Sequence, residues 1–260
     1  MAIIHPDIQL INYGGPGTGK STFAATFPSP MLVCCFDPPG KALSYLKKGV
    51  VSDIVTDGMP GFAFREAYSK KDGSLLTRVE FYFDDDIKTP VGFNRFIMRA
   101  TTIPQECREG KWKTVVLDSI TYLELLSRKL YQYSIAPDAK ETKWYAGSTE
   151  QIEEIVLMRA PFWLANVIVI AHIDSDKDEV LGSFVHNPSM PGRMRTKAAC
   201  GYTELYRSYV ERDEAGIPQY KLQTATNSQY MATSQIKAPD AAPSHYECLW
   251  AAPPTEKEAA

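Results

Sequence analysis

One stretch near the start of the chain, GGPGTGKS at residues 14–21, constrains the fold more than any other. It matches the phosphate-loop pattern G-x-x-x-x-G-K-[ST] in full. Glycine lets the backbone wrap an anion with its N–H groups, Lys20 brings a mobile positive charge, and Ser21 offers a hydroxyl to Mg²⁺. The apolar run IQLIN precedes the motif and KSTFAATF follows it, which predicts a strand, the loop and a helix in that order.

This context favours a nucleotide site over a glycine-rich turn without a ligand, because a helix that begins at the loop attracts phosphate. The predicted phosphate-binding residues are Gly14, Gly15, Pro16, Gly17, Thr18, Gly19, Lys20, Ser21 and Thr22.

The composition indicates in which cellular compartment the protein works and which kinds of partner it can attract. The 260 residues are 44% apolar with a formal charge of −3, so one α/β domain can bury a sizeable core and nucleic acid can be attracted only by a local patch. Five cysteines without C-x-x-C spacing indicate free thiols in a reducing compartment. Cys34 and Cys35, adjacent on a predicted strand, should point to opposite faces. We find no signal segment and no membrane span, and expect a cytoplasmic protein.

Apolar runs predict buried parallel strands at 9–13, 31–36, 114–117 and 167–171, with a helix-rich stretch between the last two that Pro161 interrupts. Residues 62–84 read as a hairpin turning at 72–73, and the segment after 200 as antiparallel strands turning near 215–216 and 227–228. The predicted fold is α/β, a mainly parallel central sheet flanked by helices with C-terminal antiparallel strands. We predict a core over residues 1–237 with the hairpin as an insertion, and an Ala/Pro-rich tail over 238–260 in which YECLW is apolar enough to dock.

Asp118, at the end of the apolar run TVVL, is the predicted second half of the site. Its carboxylate would hold Mg²⁺ together with Ser21, although the position also suits a helix N-cap. The next residue is Ser119, where AAA+ motors usually carry glutamate. The N-K-x-D signature of GTPases and the L-S-G-G-Q signature of ABC proteins are absent from the sequence.

The order of the phosphate loop, LVCCFDPPGKALSYLKKGV, TVVLDSITYL and VIVIAHID resembles the RecA-like core. It is most similar to the phage Sak group of single-strand annealing ATPases, in which a segment resembling PSMPGRMRTKAACGYTELYRSYV follows. The resemblance covers roughly residues 8–237, apart from the hairpin. It implies a P-loop ATPase that hydrolyses ATP to ADP and phosphate with Mg²⁺, binds single-stranded DNA and acts as a ring or filament. A single-strand-binding protein would be a further partner, and a phage-encoded protein would act in the host cytoplasm.

The resemblance also assigns catalytic roles. Lys20 and Asp118 match the phosphate and Mg²⁺ positions, and His172 matches the polar residue that senses the γ-phosphate, the alternative being a histidine that merely caps a strand. RecA-like enzymes usually orient the attacking water with a glutamate, but Pro39 stands there. Either Asp37, two residues earlier, serves as the base, or hydrolysis is slow.

Two segments are candidates for contacting nucleic acid. A basic cluster in a predicted loop after His172 would touch phosphates, with nearby Met190, Met194 and Tyr202 pressing on bases. The alternatives are a solvated loop and a cation that reaches a neighbour's ATP. The second segment is QYSIAPDAKETKWYAGS at residues 132–148, where the rings of Trp144 and Tyr145 could stack on bases beside Lys140 and Lys143. The two rings could equally pack on their own helix. The predicted nucleic-acid residues are Arg193, Arg195, Lys197, Lys143 and Trp144.

The acidic run DSDKDEVLG resembles a calcium loop, but Glu179 stands where that loop needs glycine and Val185 where it needs a bidentate glutamate. A solvated acidic loop is the better interpretation.

The leading hypothesis for the whole chain is a DNA-binding recombination ATPase. The alternative is an NTP-dependent packaging, partition or regulatory ATPase whose main partner is a protein, and a nucleotide kinase is a distant third.

Overall fold

In the computed structural model, which describes residues 7–38, 42–177, 184–192 and 194–250, a twisted central sheet separates two apolar layers. The strands are β1 (Gln9–Tyr13), β2 (Met31–Cys35), β3 (Val50–Val51), β4 (Phe62–Tyr68), β5 (Leu75–Tyr82), β6 (Thr114–Asp118), β7 (Asn166–Ala171), β8 (Ile173–Lys177), β9 (Phe184–Pro188), β10 (Glu204–Arg212), β11 (Pro218–Gln223), β12 (Thr233–Ser234) and β13 (Ala242–Pro243). The helices are α1 (Lys20–Ala24), α2 (Leu43–Leu46), α3 (Gly92–Arg108), α4 (Ile120–Leu130), α5 (Glu141–Glu153) and α6 (Met194–Gly201).

The sheet runs in the order β13-β11-β10-β1-β7-β6-β2-β5-β4-β3, and β12 pairs with β10. Its middle part, from β10 to β5, is parallel throughout. The outer strands are antiparallel on both sides, β11 on β10 and β4 on β5. The predicted α/β class and the four predicted parallel strands are thus confirmed.

Both faces of the central strands are buried, which explains their unbroken apolar sequences. Cys34 belongs to the apolar cluster beneath α3, α4 and α5, whereas Cys35 belongs to the opposite cluster, beneath α1 and α2. The prediction that these two thiols point to opposite faces is confirmed, and the four described cysteines are free.

The helix α3 was not predicted from the sequence. Its buried residues are spaced by three and four positions, Phe93, Phe96, Ala100, Ile103 and Cys107, but Pro104 lies inside it and obscured the helical pattern. The helical stretch after Asp118 was predicted, but it is not interrupted at Pro161: it ends there, in a short 3₁₀ turn over Ala160–Phe162.

The hairpin at residues 62–82 is confirmed, and it extends the central sheet because β5 lies parallel to β2. Residues 242–250 also join the main body: β13 pairs with β11, and a 3₁₀ turn at Tyr246–Trp250 buries Leu249. YECLW therefore docks, as its apolar character suggested. The positions of the domain boundaries stay a prediction.

Two expectations for the segment after β7 are wrong. The acidic run was expected to be a loop, but Asp174 and Asp176 lie on β8, which forms a hairpin with β9; residues 178–183 lie outside the described part. The basic cluster was also expected in a loop. Pro191 and Gly192 form only the entry turn, and α6 begins at Met194, whose side chain anchors the helix in the core.

No helix in the described ranges combines the length and the apolar character that crossing a membrane requires.

Candidate nucleotide-binding site

Four neighbouring parallel strands end at one edge of the sheet, and each delivers one predicted site element. The phosphate loop follows β1, His172 follows β7, Asp118 closes β6, and Asp37 follows β2. They meet in a cleft of about 820 Å³. Ligands of open α/β sheets bind at this carboxyl edge. The lining residues are Pro16, Gly17, Thr18, Gly19, Lys20, Ser21, Thr22, Asp37, Ser44, Lys47, Asp118, Ile170, His172, Pro218, Gln219, Tyr220 and Ser244.

The phosphate loop takes its shape from its glycines. Gly17 and Gly19 have φ values of 73° and 84°, a conformation that other residues rarely adopt. At Gly14 an added Cβ would stand 2.4 Å from the carbonyl oxygen of Ser208, so only glycine lets β10 pass this close. The loop therefore depends on β10 as well as on its own residues.

Lys20 is buried and folds back over its own loop. Its Nζ donates hydrogen bonds to the carbonyl oxygens of Gly14, at 2.8 Å, and Gly15, at 2.7 Å. The ammonium group is thus held against the backbone of its own loop. A phosphate oxygen would be a stronger, charged acceptor for it.

Asp118 is buried and accepts two hydrogen bonds on one oxygen. Its Oδ2 lies 2.9 Å from Ser21 Oγ and 2.6 Å from the hydroxyl of Tyr45. Burial raises the pKa of Asp118, although both hydrogen bonds oppose the rise. Burial and the adjacent Asp118 also raise the pKa of Tyr45, which keeps its hydroxyl protonated as a donor. A buried carboxylate beside a serine hydroxyl fits Mg²⁺, because Mg²⁺ takes oxygen ligands and its positive charge would balance that of the carboxylate.

Asp37 lies beside this pair. Its Oδ1 accepts a hydrogen bond of 2.8 Å from Ser119 Oγ, and it lines the cleft. The residue after Asp118 thus orients the candidate base. Pro39, the position of the usual glutamate, lies outside the described residues.

His172 lines the same cleft at the end of β7. Its backbone N–H donates to Thr121 Oγ1 at 3.5 Å, and its carbonyl accepts from the N–H of Ser189 at 2.8 Å. The ring lies 6.5 Å from that of Tyr122. The backbone around His172 is therefore tied both to α4 and to the segment that leads into α6.

The described nucleic-acid candidates, Arg195, Lys197, Lys143 and Trp144, do not line the cleft. Arg195 forms ion pairs with Asp176 and, at 3.8 Å, with Asp174, whereas Lys197 pairs with Glu153 at 3.0 Å. Arg193 lies outside the described residues. Arg195 and Lys197 are surface groups of α6 whose charges are already compensated by acidic neighbours.

The aromatic and methionine candidates divide between surface and core. Lys143 is exposed, while Trp144 is half-buried and donates from Nε1 to the carbonyl oxygen of Ala136 at 2.8 Å. Met190, Met194 and Tyr202 are buried, so the expectation that they press on bases is wrong. Their apolar side chains fill the core beneath α6 instead.

Several residues in or beside the cleft were not predicted from the sequence. Tyr45, Ser44 and Lys47 come from α2 and the residue after it, and Tyr220 and Ser244 from the C-terminal strands and the residue that follows them. No local pattern marks them, because only the tertiary fold brings them to the phosphate loop.

A family model described as an AAA domain matches residues 7–232. No curated protein matches the chain. Because Ser119 follows Asp118, the family description does not bring with it the glutamate that AAA+ motors usually carry there.

Three solved structures are similar at low identity. A KaiC-like protein from the hyperthermophilic archaeon Pyrococcus horikoshii OT3 has 14% identity and a TM-score of 0.41, over 88% of this chain and 82% of that one. A prototypical ATPase from the type III secretion system of pathogenic bacteria has 12% identity and a TM-score of 0.46, over 76% and 51%. EscN, the corresponding ATPase of enteropathogenic E. coli, has 13% identity and a TM-score of 0.42, over 78% and 43%. The chain thus spans about half or less of the two secretion ATPases.

The family match covers the phosphate loop, Asp37, Asp118 and His172, the four elements that meet in the cleft. The chain therefore belongs to the AAA-domain family and is a P-loop ATPase.

Proposed function

We propose that this ATPase binds single-stranded DNA as an oligomer and promotes annealing or strand pairing, as its likeness to the phage Sak group suggests. The observation that carries the proposal is the position of α6. The chain passes from His172, which lines the nucleotide cleft, through the β8–β9 hairpin directly into this basic helix. A ligand on α6 would therefore act on the segment that borders the cleft.

In the nucleotide site, Lys20 and the loop N–H groups would hold the phosphates of ATP. Ser21 and Asp118 would hold Mg²⁺, which when bound neutralises charge on the phosphate oxygens. The Ser21–Asp118 hydrogen bond of 2.9 Å supports this assignment, because it holds the two oxygen atoms that would bind the metal next to each other.

Asp37 is our candidate for accepting the proton of the attacking water. Its carboxylate is fixed by Ser119 and lies in the cleft. His172 would donate a hydrogen bond to the terminal phosphate and report its presence through the backbone bond with Ser189. This path leads towards α6, which follows Ser189 in the chain.

The ion pairs of α6 are compatible with DNA binding. Pairs at the surface contribute only about 0–1 kcal/mol, so the phosphates of a DNA strand can compete with Glu153 and Asp176 for Lys197 and Arg195. Each phosphate that these cations bind would release counterions from the strand, which makes the affinity depend on salt.

The test is the ATPase rate with and without single-stranded DNA, together with DNA affinity measured at several salt concentrations. We expect DNA to stimulate hydrolysis. Replacing Arg195 and Lys197 by alanine should flatten the log–log salt slope by about 0.7 for each phosphate that is no longer bound. The control is Lys111→Ala, which removes an exposed lysine that is ion-paired with Glu106 of α3. A slope and a rate that are the same in all variants would exclude α6 as the DNA site.

A second candidate function has a protein as the main partner. The side chains of Met158 and Phe162 are exposed and, with Pro104, line a shallow apolar groove. Exposed apolar patches mark protein contacts, either with a partner or between subunits. An ATPase rate that ignores DNA but falls when Phe162 is replaced by serine would favour this candidate.

A further inference from the structure

The cleft has a wall that phosphate binding does not explain. It faces the phosphate loop and is built by Pro218, Gln219 and Tyr220 of β11 and by Ser244, which follows β13. The N–H of Ser244 donates to the carbonyl oxygen of Tyr220 at 3.0 Å, which fixes the two residues beside each other. This wall includes a segment that the sequence analysis had assigned to the tail.

Tyr220 presents an open aromatic ring in this cleft. The side chain is 47% exposed, although one edge lies against the phosphate loop. A Cβ added to Gly19 would stand 2.9 Å from Cδ1 of the ring. An exposed ring directly beside the phosphate loop is a surface on which a planar heterocycle can stack.

Ser244 supplies the second, independent observation. Its Oγ is shielded from bulk solvent and has no hydrogen-bond partner among the described residues, yet the residue lines the cleft. A buried hydroxyl without a partner is costly, and such groups in native structures call for a ligand or an ordered water. Here the hydroxyl lies next to Tyr220, at the same end of the cleft.

The wall is also held firmly to the phosphate-loop side of the molecule. The N–H of Tyr246 donates to Thr26 Oγ1 at 2.9 Å, and the Tyr246 ring lies 4.7 Å from that of Phe27. Both partners come directly after α1, the helix that begins at the phosphate loop. The distance between the wall and the loop is therefore fixed by packing rather than left to a loose terminus.

We propose that Tyr220, Gln219 and Ser244 form the nucleoside subsite of the ATPase. The base stacks on the Tyr220 ring, and the Ser244 hydroxyl bonds to a polar atom of the base or the ribose. Gln219, whose Nε2 donates to Asp213 Oδ2 at 3.1 Å, offers its amide oxygen as an acceptor. The inference rests on the proposed binding of ATP phosphates at Lys20. Stacking accepts any base but favours large ones, so we expect the subsite to bind purine nucleotides more tightly than pyrimidine nucleotides.

The test compares Mg²⁺·ATP with Mg²⁺·tripolyphosphate, which has the phosphates but no nucleoside, by titration calorimetry. Tyr220→Leu should weaken ATP binding by about 5- to 150-fold, the loss expected for one stacked base. Tripolyphosphate affinity should stay within about twofold of wild type, because its contacts lie at the loop. Tyr220→Phe keeps the ring and should bind both ligands normally. Tyr133→Leu removes a half-exposed tyrosine outside the cleft and serves as the matched control.

Ser244→Ala gives an additional check that does not depend on the ring. It should weaken ATP binding by about 2- to 13-fold, the value of one neutral hydrogen bond, without lowering the stability of the nucleotide-free protein. Equal losses of ATP and tripolyphosphate affinity in Tyr220→Leu, or unchanged affinity for both, would overturn the subsite. Failure of the wild-type protein to bind tripolyphosphate at all would instead contradict the phosphate site on which the inference rests.

Discussion

Replacing Tyr45 by phenylalanine removes one oxygen atom from the surroundings of Asp118 and leaves the apolar contacts of the ring in place. The hydroxyl lies 2.6 Å from Asp118 Oδ2, and Ser21 would remain as the second donor. Hydrogen bonds to charged groups contribute about 1.5–3 kcal/mol and ordinary ones about 0.5–1.5 kcal/mol. We therefore expect Tyr45→Phe to lower the free energy of unfolding of the metal-free protein by about 1.5–3 kcal/mol at neutral pH.

Tyr202→Phe is a matched control, because Tyr202 is equally buried and its hydroxyl donates to a neutral acceptor, the carbonyl oxygen of Val156, at 2.7 Å. It should cost about 0.5–1.5 kcal/mol. The assay is urea unfolding followed by circular dichroism, in the presence of a chelator. Lowering the pH protonates Asp118, so the two costs should converge. If the two variants lose the same stability at neutral pH, the Tyr45 hydroxyl does not support a charged Asp118.

Three further outcomes are expected. Lys20→Ala should lower ATP affinity at least about tenfold with an unchanged circular dichroism spectrum, because one charged hydrogen bond to phosphate is lost; wild-type affinity would contradict the phosphate site. Burial raises the pKa of Asp118, so the folded metal-free protein is stabilised by protonation and loses that stability as pH rises through the raised pKa. Above that pH the melting temperature of Asp118→Asn should therefore be higher than that of wild type, while its Mg²⁺-dependent hydrolysis stops. A difference in melting temperature that does not change with pH would refute this. Glu153→Gln frees Lys197 and should tighten single-stranded DNA binding by up to about fivefold, whereas weaker binding would argue against α6 as the DNA site.

The parts of the fold that the sequence predicts are those where one physical requirement dominates. β2, β6 and β7 are buried on both faces, so the interior residues of each strand are apolar without interruption. The phosphate loop is equally easy to predict from the sequence, because its backbone shape requires glycine at positions 17 and 19. α3 was missed because Pro104, which marks a break in most helices, is tolerated in this one.

The rest of the site depends on contacts between distant segments. Tyr45 and Asp118 are 73 positions apart in the sequence, and no sequence pattern around Tyr45 predicts the hydrogen bond between them. Met194 was misread for a related reason: in sequence it stands among cations, but on α6 its side chain turns into the core while Arg195 and Lys197 remain outside. Helical periodicity over so short a segment is too weak to separate the two faces.

The position of β1 in the middle of the sheet sets the order in which the enzyme can be completed. β1 lies between β7 and β10, and Thr203 and Gln9, joined by a hydrogen bond of 3.1 Å, are 194 residues apart in the sequence. Pairings of such high contact order form late, because a long loop must close first. The phosphate loop is synthesised before β10, yet it must wait for β10, whose Ser208 packs against Gly14, before it takes its binding shape. The binding shape of the loop is therefore a property of the folded chain with β10 in place, and not of the loop segment by itself.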